Sequence, residues 1–128
     1  MNDFLTEDVV RNMAKNKLNL VSDDKAISDV GQLTTFNVLS KVMNIPAFEG
    51  VPDKPDGWYL PRNHNETAII VEAKNSDMNL DLAKCVEEIR KNCSIAMEHY
   101  KNVIGILYNG YETRVFLNNK PIDSPDEL

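Results

Sequence analysis

The 128-residue chain has little of what would place it outside the ordinary globular proteins. Its two cysteines, Cys85 and Cys93, are too few for a disulfide scaffold. They fall eight residues apart in a predicted helix, about 12 Å, too far for a bridge. They read as small buried hydrophobes. The two histidines, His64 and His99, have no ligand spacing around them, so no zinc site is expected. Apolar runs stop well short of the roughly eighteen residues of a membrane span. The N-terminal stretch MNDFLTEDVV has neither a basic start nor an apolar h-region. A secretory signal is therefore not expected, and the cytoplasm is the default compartment. Internal repeats and low-complexity linkers are lacking too.

Basic residues are also in deficit, 14 Lys and Arg against 20 Asp and Glu, for a formal charge of −6. That speaks against holding nucleic acid by bulk charge alone. A nuclease stays open, because a divalent cation can supply positive charge at a reaction centre. What the chain does have is 42% hydrophobic residues and a size that supports one core. We expect a single domain over residues 1–128, with a core at about 26–118.

Residues 8–20 read as a short helix whose Arg11, Lys15 and Lys17 form a solvated face, with phosphate contact as the sharper alternative. Over residues 25–44 the pattern is helical. Gln32, Phe36, Leu39 and Met43 share one face, and Val30, Val38 and Val42 widen it. A Pro- and Gly-dense stretch follows, with a short edge strand expected near 47–51. Residues 57–60 and 67–74 flank the polar loop PRNHNE and read as a β-hairpin. A second helix is expected over 79–100, capped by Asn79, with Leu82, Cys85, Val86, Ile89, Cys93, Ala96 and Tyr100 at helical spacing. Residues 103–108 form a continuous apolar run expected in a strand covered on both faces. Asn109-Gly110 is a turn signal, and 111–117 alternates as an outer strand. Residues 121–128 read as a polar tail, or as the edge of a longer polypeptide. The order of elements gives an α/β architecture, one mixed β-sheet flanked by helices.

Three ionisable residues stand out: Asp56, Glu72 and Lys74. Side chains alternate along a strand, so Ile70, Glu72 and Lys74 share a face. Charges in a strand that otherwise reads as buried are expensive unless paired or bound to metal. If the hairpin is centred on His64, Asp56 lies directly opposite Glu72, with Cβ atoms about 5 Å apart. Two carboxylates at that distance repel; a divalent cation between them turns the repulsion into binding. Lys74 could then stabilise negative charge developing on phosphorus. Asp53 is a competing carboxylate but would face residue 75, past the last charge of the strand. Spacing alone leaves a structural Glu72–Lys74 salt bridge at a strand end as an equal alternative. Trp58, facing Ile70 in the same register, reads as a packing residue, and Arg62 and His64 as a solvated hairpin tip.

Pro55-Asp56 followed by Glu72-Ala73-Lys74 resembles the signature of the PD-(D/E)xK nuclease superfamily. The closer similarity is to nuclease domains of type I restriction subunits and of fused type IIG restriction-modification polypeptides. The matching pieces are KPDGWYL, AIIVEAK, the following helix, and GILYNGYETRVF. The resemblance implies a restriction-endonuclease-like αβββαβ core, Mg2+ as the metal with Mn2+ as substitute, and double-stranded DNA as substrate. It makes Asp56 and Glu72 metal ligands, the Ala73 carbonyl a further ligand and Lys74 the catalytic lysine. Methyltransferase or translocase domains or subunits would be partners, a homodimer would serve double-strand cleavage, and no membrane is involved. Many relatives carry a glutamate on the first helix; the nearest slots here are Gln32 and Asp29. Some carry a glutamine on the second helix, for which Asn92 could stand. The expected activity is a metal-dependent endonuclease domain of a restriction or restriction-modification system. The alternative is a catalytically inactive nuclease-like module that docks or positions DNA.

Overall fold

A computed structural model describes residues 4–18, 26–31 and 34–122. Helix α1 (Glu7–Leu18) has acids in its first turn and lysines in its last, matching the helix dipole at both ends. Strand β1 (Ala26–Val30) follows, then helix α2 (Phe36–Met43) and a single 3-10 turn (Pro46–Phe48). Strands β2 (Gly57–Pro61) and β3 (Ala68–Ala73) form the hairpin. Helix α3 (Ala83–Met97) crosses over to β4 (Val103–Tyr108), and β5 (Thr113–Leu117) and β6 (Lys120–Ile122) complete the chain's one sheet. The six strands lie in sequence order. All neighbours are antiparallel except β3 and β4, which are parallel. A parallel pair needs a long crossover, and α3 supplies it. The described residues thus form an α/β fold of one mixed six-stranded sheet and three α-helices, and none of these helices is long and apolar enough to cross a membrane.

The sheet is covered unequally. On one face α2, the 3-10 turn and α3 pack Phe36, Leu39, Phe48, Ile89 and Cys93 against Trp58, Leu60, Ile70 and Leu107. Each fully buried side chain of this size stabilises by roughly 1.5–3 kcal/mol. On the other face α1 alone sets Val10 and Ala14 against Val71, Ala73 and Tyr108. Ile104 and Ile106 of β4 stay half-buried there, so the apolar run 103–108 is sealed on one face only.

Several expectations are corrected. The helix expected over 25–44 is two elements, β1 and the shorter α2. Pairing with β2, from Ala26↔Pro61 to Val30↔Gly57, draws the first part into the sheet. Within α2 the stripe Phe36, Leu39, Met43 is buried as expected, but Val38 and Val42 point to solvent. Thr35 caps α2 by accepting from the Val38 N–H at 3.1 Å, and Asn44 ends it in the left-handed region. The edge strand expected near 47–51 is the 3-10 turn, with Pro46 at its start. Asn79 does not cap α3. Its side chain accepts from the Asp81 N–H at 2.9 Å, and the helix begins four residues later. The stripe on α3 holds for Cys85, Ile89, Cys93 and Ala96, while Leu82 is exposed. The turn at Asn109-Gly110 is longer than two residues. Asn109 Oδ1 accepts from both Tyr111 N and Glu112 N, and β5 starts at Thr113. The tail expected from residue 121 begins instead in β6; residues 123–128 lie outside the described residues.

Candidate metal and catalytic site

Register places the acids. The pairs Gly57↔Val71, Trp58↔Ile70 and Tyr59↔Ile69 are those of a hairpin centred on His64. One step further along the same register Asp56 falls opposite Glu72, close enough for its charge to act on the Glu72 carboxyl. Trp58 faces Ile70 within the core, as expected. Ile70 and Glu72 share the face under α3, so Glu72 enters the protein between sheet and helix and is 1% exposed. Burial, the charge and hydrogen bond of Asp56 and the charge of Glu88 hold its carboxyl well above the ordinary carboxylate range. Against these, Asn92 of α3, itself buried, donates its side-chain amide to Glu72 Oε1.

Asp56 is held on every side. Its Oδ2 accepts the Ala73 backbone N–H at 2.8 Å, its Oδ1 accepts Arg11 Nε–H at 3.1 Å, and its backbone carbonyl accepts Gly31 N–H at 2.8 Å. The bond to Ala73 occurs because β2 begins only at Gly57, leaving the last amide of β3 without a backbone partner on that edge. Lys74 follows as the chain leaves the sheet, its N–H bonded to the Tyr108 carbonyl at 2.9 Å. Its ammonium pairs with Glu88 of α3 and is largely shielded from water. Burial works to lower the Lys74 pKa, but the hydrogen bond and charge of Glu88 and the charges of Glu72 and Glu7 outweigh it and raise it. The salt bridge at this strand end is therefore Lys74–Glu88, not the Glu72–Lys74 pair that spacing left open.

The other expected residues fall elsewhere. Asp29 lies on β1 opposite Trp58, not on a helix. It pairs with Lys15 at 3.6 Å and accepts from the Val30 N–H, away from the acid pair. Gln32 lies outside the described residues. Asp53 is taken by Lys91 of α3 at 2.8 Å, and its carbonyl receives the Phe36 N–H that starts α2.

Sequence reasoning missed Arg11. Expected on a solvated face, it is 9% exposed, and its guanidinium reaches Asp56, Asp8 and, at 3.4 Å, Glu7. The available signal was its place at the edge of the apolar stripe, beside Val10 and three residues before Ala14. Also missed was how α1 is held here. Asn75 Oδ1 accepts from Glu7 N at 2.9 Å, capping the helix from across the sheet. Leu5 N donates to Ser76 Oγ at 2.6 Å, and Ser76 N to the Leu5 carbonyl at 2.8 Å. Helix α1 is thus tied to the loop that carries Lys74.

Among the described residues no group of three or more His, Cys, Asp or Glu side chains is arranged to hold a metal ion. The donor set is the Asp56 and Glu72 carboxyls, plus whatever the backbone adds. Such a set suits Mg2+, which is commonly held through one or two carboxylates and keeps several waters. Arg11 is the cation beside Asp56, whereas the nearly sealed Glu72 meets a neutral amide, and a divalent ion would bring positive charge to it. Comparison with protein-family models, with curated proteins and with solved structures returned no match.

Proposed function

We propose that the chain is a metal-dependent DNA endonuclease domain of the PD-(D/E)xK type, working within a restriction or restriction-modification system. The observation that carries this reading is the hairpin register that sets Asp56 opposite the buried Glu72 at the end of β3, with Lys74 two residues on. The order α1, β1, β2, β3, α3, β4, with α2 inserted after β1, agrees with an αβββαβ core. Asn92, which would stand for the glutamine that some members of that superfamily carry on the second helix, donates its amide to Glu72. Asp56, Glu72 and the Ala73 carbonyl would hold Mg2+, or Mn2+ in its place. When bound, the ion supplies Lewis acidity towards a phosphodiester and an attacking water. Lys74, kept charged by Glu88, would stabilise negative charge on the phosphate. Double-stranded DNA is the substrate that the resemblance implies. A second copy of the site would be needed to cut both strands, and methyltransferase or translocase domains or subunits would complete the system.

The test is plasmid cleavage in Mg2+ and in Mn2+. We expect wild type to nick or linearise the plasmid and Lys74→Ala to be slower by about 100-fold or more. Equal rates for the two proteins would overturn the catalytic assignment.

One observation favours a second reading, a nuclease-like module without turnover that docks or positions DNA. Arg11 already neutralises Asp56, so the acids have a cation of their own. Calorimetry separates the two readings: a retired site would take up no Mg2+ or Mn2+ through Asp56 and Glu72.

A further inference from the structure

Arg11 is the one group at the site that a hydrolytic role does not require. It is a buried cation on helix α1, and its Nε–H lies 3.1 Å from Asp56 Oδ1, on the acid that a divalent ion would share with Glu72. It makes a single hydrogen bond to Asp56 and sends its terminal nitrogens to Asp8 and Glu7. We propose that Arg11 is the resident counter-cation of the Asp56–Glu72 pair, and that a divalent cation binds by displacing its guanidinium from Asp56 Oδ1. The inference rests on the metal-binding reading of these two acids and adds the residue that governs their affinity.

Three features make the exchange physically reasonable. Leaving Asp56 costs the guanidinium one charge-assisted hydrogen bond, while Asp8 and Glu7 continue to pair it. The Ala73 N–H on Oδ2 keeps the Asp56 carboxylate oriented when Arg11 withdraws, so the ligand does not have to be ordered again. The bonds from Leu5 and Glu7 to Ser76 and Asn75 keep α1 seated, so the displaced side chain stays within reach and returns when the ion leaves. Two cations a few ångströms apart repel, and the arginine therefore lowers the affinity of the site. Its removal raises that affinity.

Two measurements on the full chain test this. The first is Mn2+ calorimetry on wild type, Arg11→Gln and Asp56→Asn, with circular dichroism to confirm folding. The expected result is binding at least about tenfold tighter in Arg11→Gln than in wild type, and lost in Asp56→Asn. The second uses wild type alone and so does not depend on a variant folding. The Arg11 Nε–H resonance should lose its protection from solvent exchange as Mg2+ saturates the protein. Equal or weaker binding by Arg11→Gln, no binding by either protein, or an Nε–H unchanged at saturating Mg2+ would each overturn the proposal. Plasmid cleavage run in parallel separates this from the nuclease assignment. Tighter binding with no cleavage sinks only the nuclease. Cleavage by wild type with no gain in affinity for Arg11→Gln sinks only the role of Arg11.

Discussion

Asn92 on α3 donates its side-chain amide to Glu72 Oε1 on β3, a polar contact that crosses from helix to sheet inside the protein. Glu72 has little other solvation, being 1% exposed. Replacing Asn92 by alanine leaves a buried acceptor without its donor, which typically costs about 1–3 kcal/mol. Urea unfolding at neutral pH should show that loss. Asn92→Asp should cost more, because it adds a third acid to the Asp56–Glu72 pair. A variant as stable as wild type would mean that Glu72 is solvated by some other route.

The raised pKa of Glu72 sets a pH dependence with a definite sign. In the folded protein the carboxyl keeps its proton above pH values at which the unfolded chain has lost it, near the ordinary value of 4.5. Between that pH and the higher folded pKa the native state binds more protons than the unfolded state, so stability falls as pH rises. The fall approaches about 1.4 kcal/mol per pH unit from this one group. The neighbouring charges are Asp56, Glu88, Lys74 and Arg11. Glu72→Gln should therefore be more stable than wild type at pH 8 without metal, and its stability should vary less between pH 5 and 8. Thermal melts in EDTA check this; parallel curves for the two proteins would refute it.

Helix α3 packs closely against the sheet at Gly105. A methyl group added there would lie 2.6 Å from Cys93 Sγ and 3.1 Å from Ile89 Cγ1. Gly105→Ala should destabilise by about 1–3 kcal/mol through overpacking. Because the nearest atom is a sulfur that Cys93→Ala deletes, the double variant should recover part of the loss. A double-mutant cycle in guanidinium reads this coupling directly, and strictly additive single effects would argue against the contact.

Burial, and secondarily the charge of Glu72, push the Cys93 thiol up to about 12. Thiolate is the reactive form, so Cys93 should be inert to a disulfide reagent at pH 8 in the native protein. Cys85 is buried as well. Both should react only at the rate of unfolding, and a fast native phase would show an opening near α3.

Asn75 caps α1 from the loop after Lys74. Loss of such a cap typically costs about 1 kcal/mol. Asn75→Ala should loosen the first turn of α1, visible as faster hydrogen exchange at Glu7 to Val10, with the β2–β3 hairpin unchanged. Equal exchange in both proteins would show that packing of Val10 and Ala14 holds the helix alone.

How much of this was legible in the sequence depended on how local each cause was. The hairpin register follows from two strands and a short loop, so alternation sufficed to find it. The stripe Cys85, Ile89, Cys93, Ala96 on α3 was legible because periodicity is a property of the segment itself. Strand β1 was not. Its AISDV is half-buried along most of its length, and only pairing with β2, some thirty residues on, makes it a strand. Strand β6 was hidden by its Pro121, tolerable because the strand is at the edge, and by a turn of two asparagines, Asn118 and Asn119, both at positive φ. Arg11 was hard to place because, beside Glu7 and Asp8 of its own helix, it meets Asp56 from the β2 side of the sheet, which no pattern along α1 records. The pairing of Lys74 with Glu88 likewise joins two separate elements.

The parallel pairing of β3 with β4 orders the assembly of the protein in time. The β2–β3 hairpin closes a short loop, whereas β4 reaches β3 only after α3 has been made and laid across the sheet. Local pairings form on microsecond scales and distant ones wait for slower loop closure. The two acids should therefore meet while still wet, with Asn92 and Glu88 arriving later, as the helix docks. Pulse-labelled exchange would see this as early protection at Tyr59 and Ile69, which pair within the hairpin, ahead of Ile70 and Ile106, whose amides bond across β3 and β4. A nascent chain passing through that interval presents its carboxylates to solvent before the protein closes over them, and that is the moment at which a cation could enter most easily.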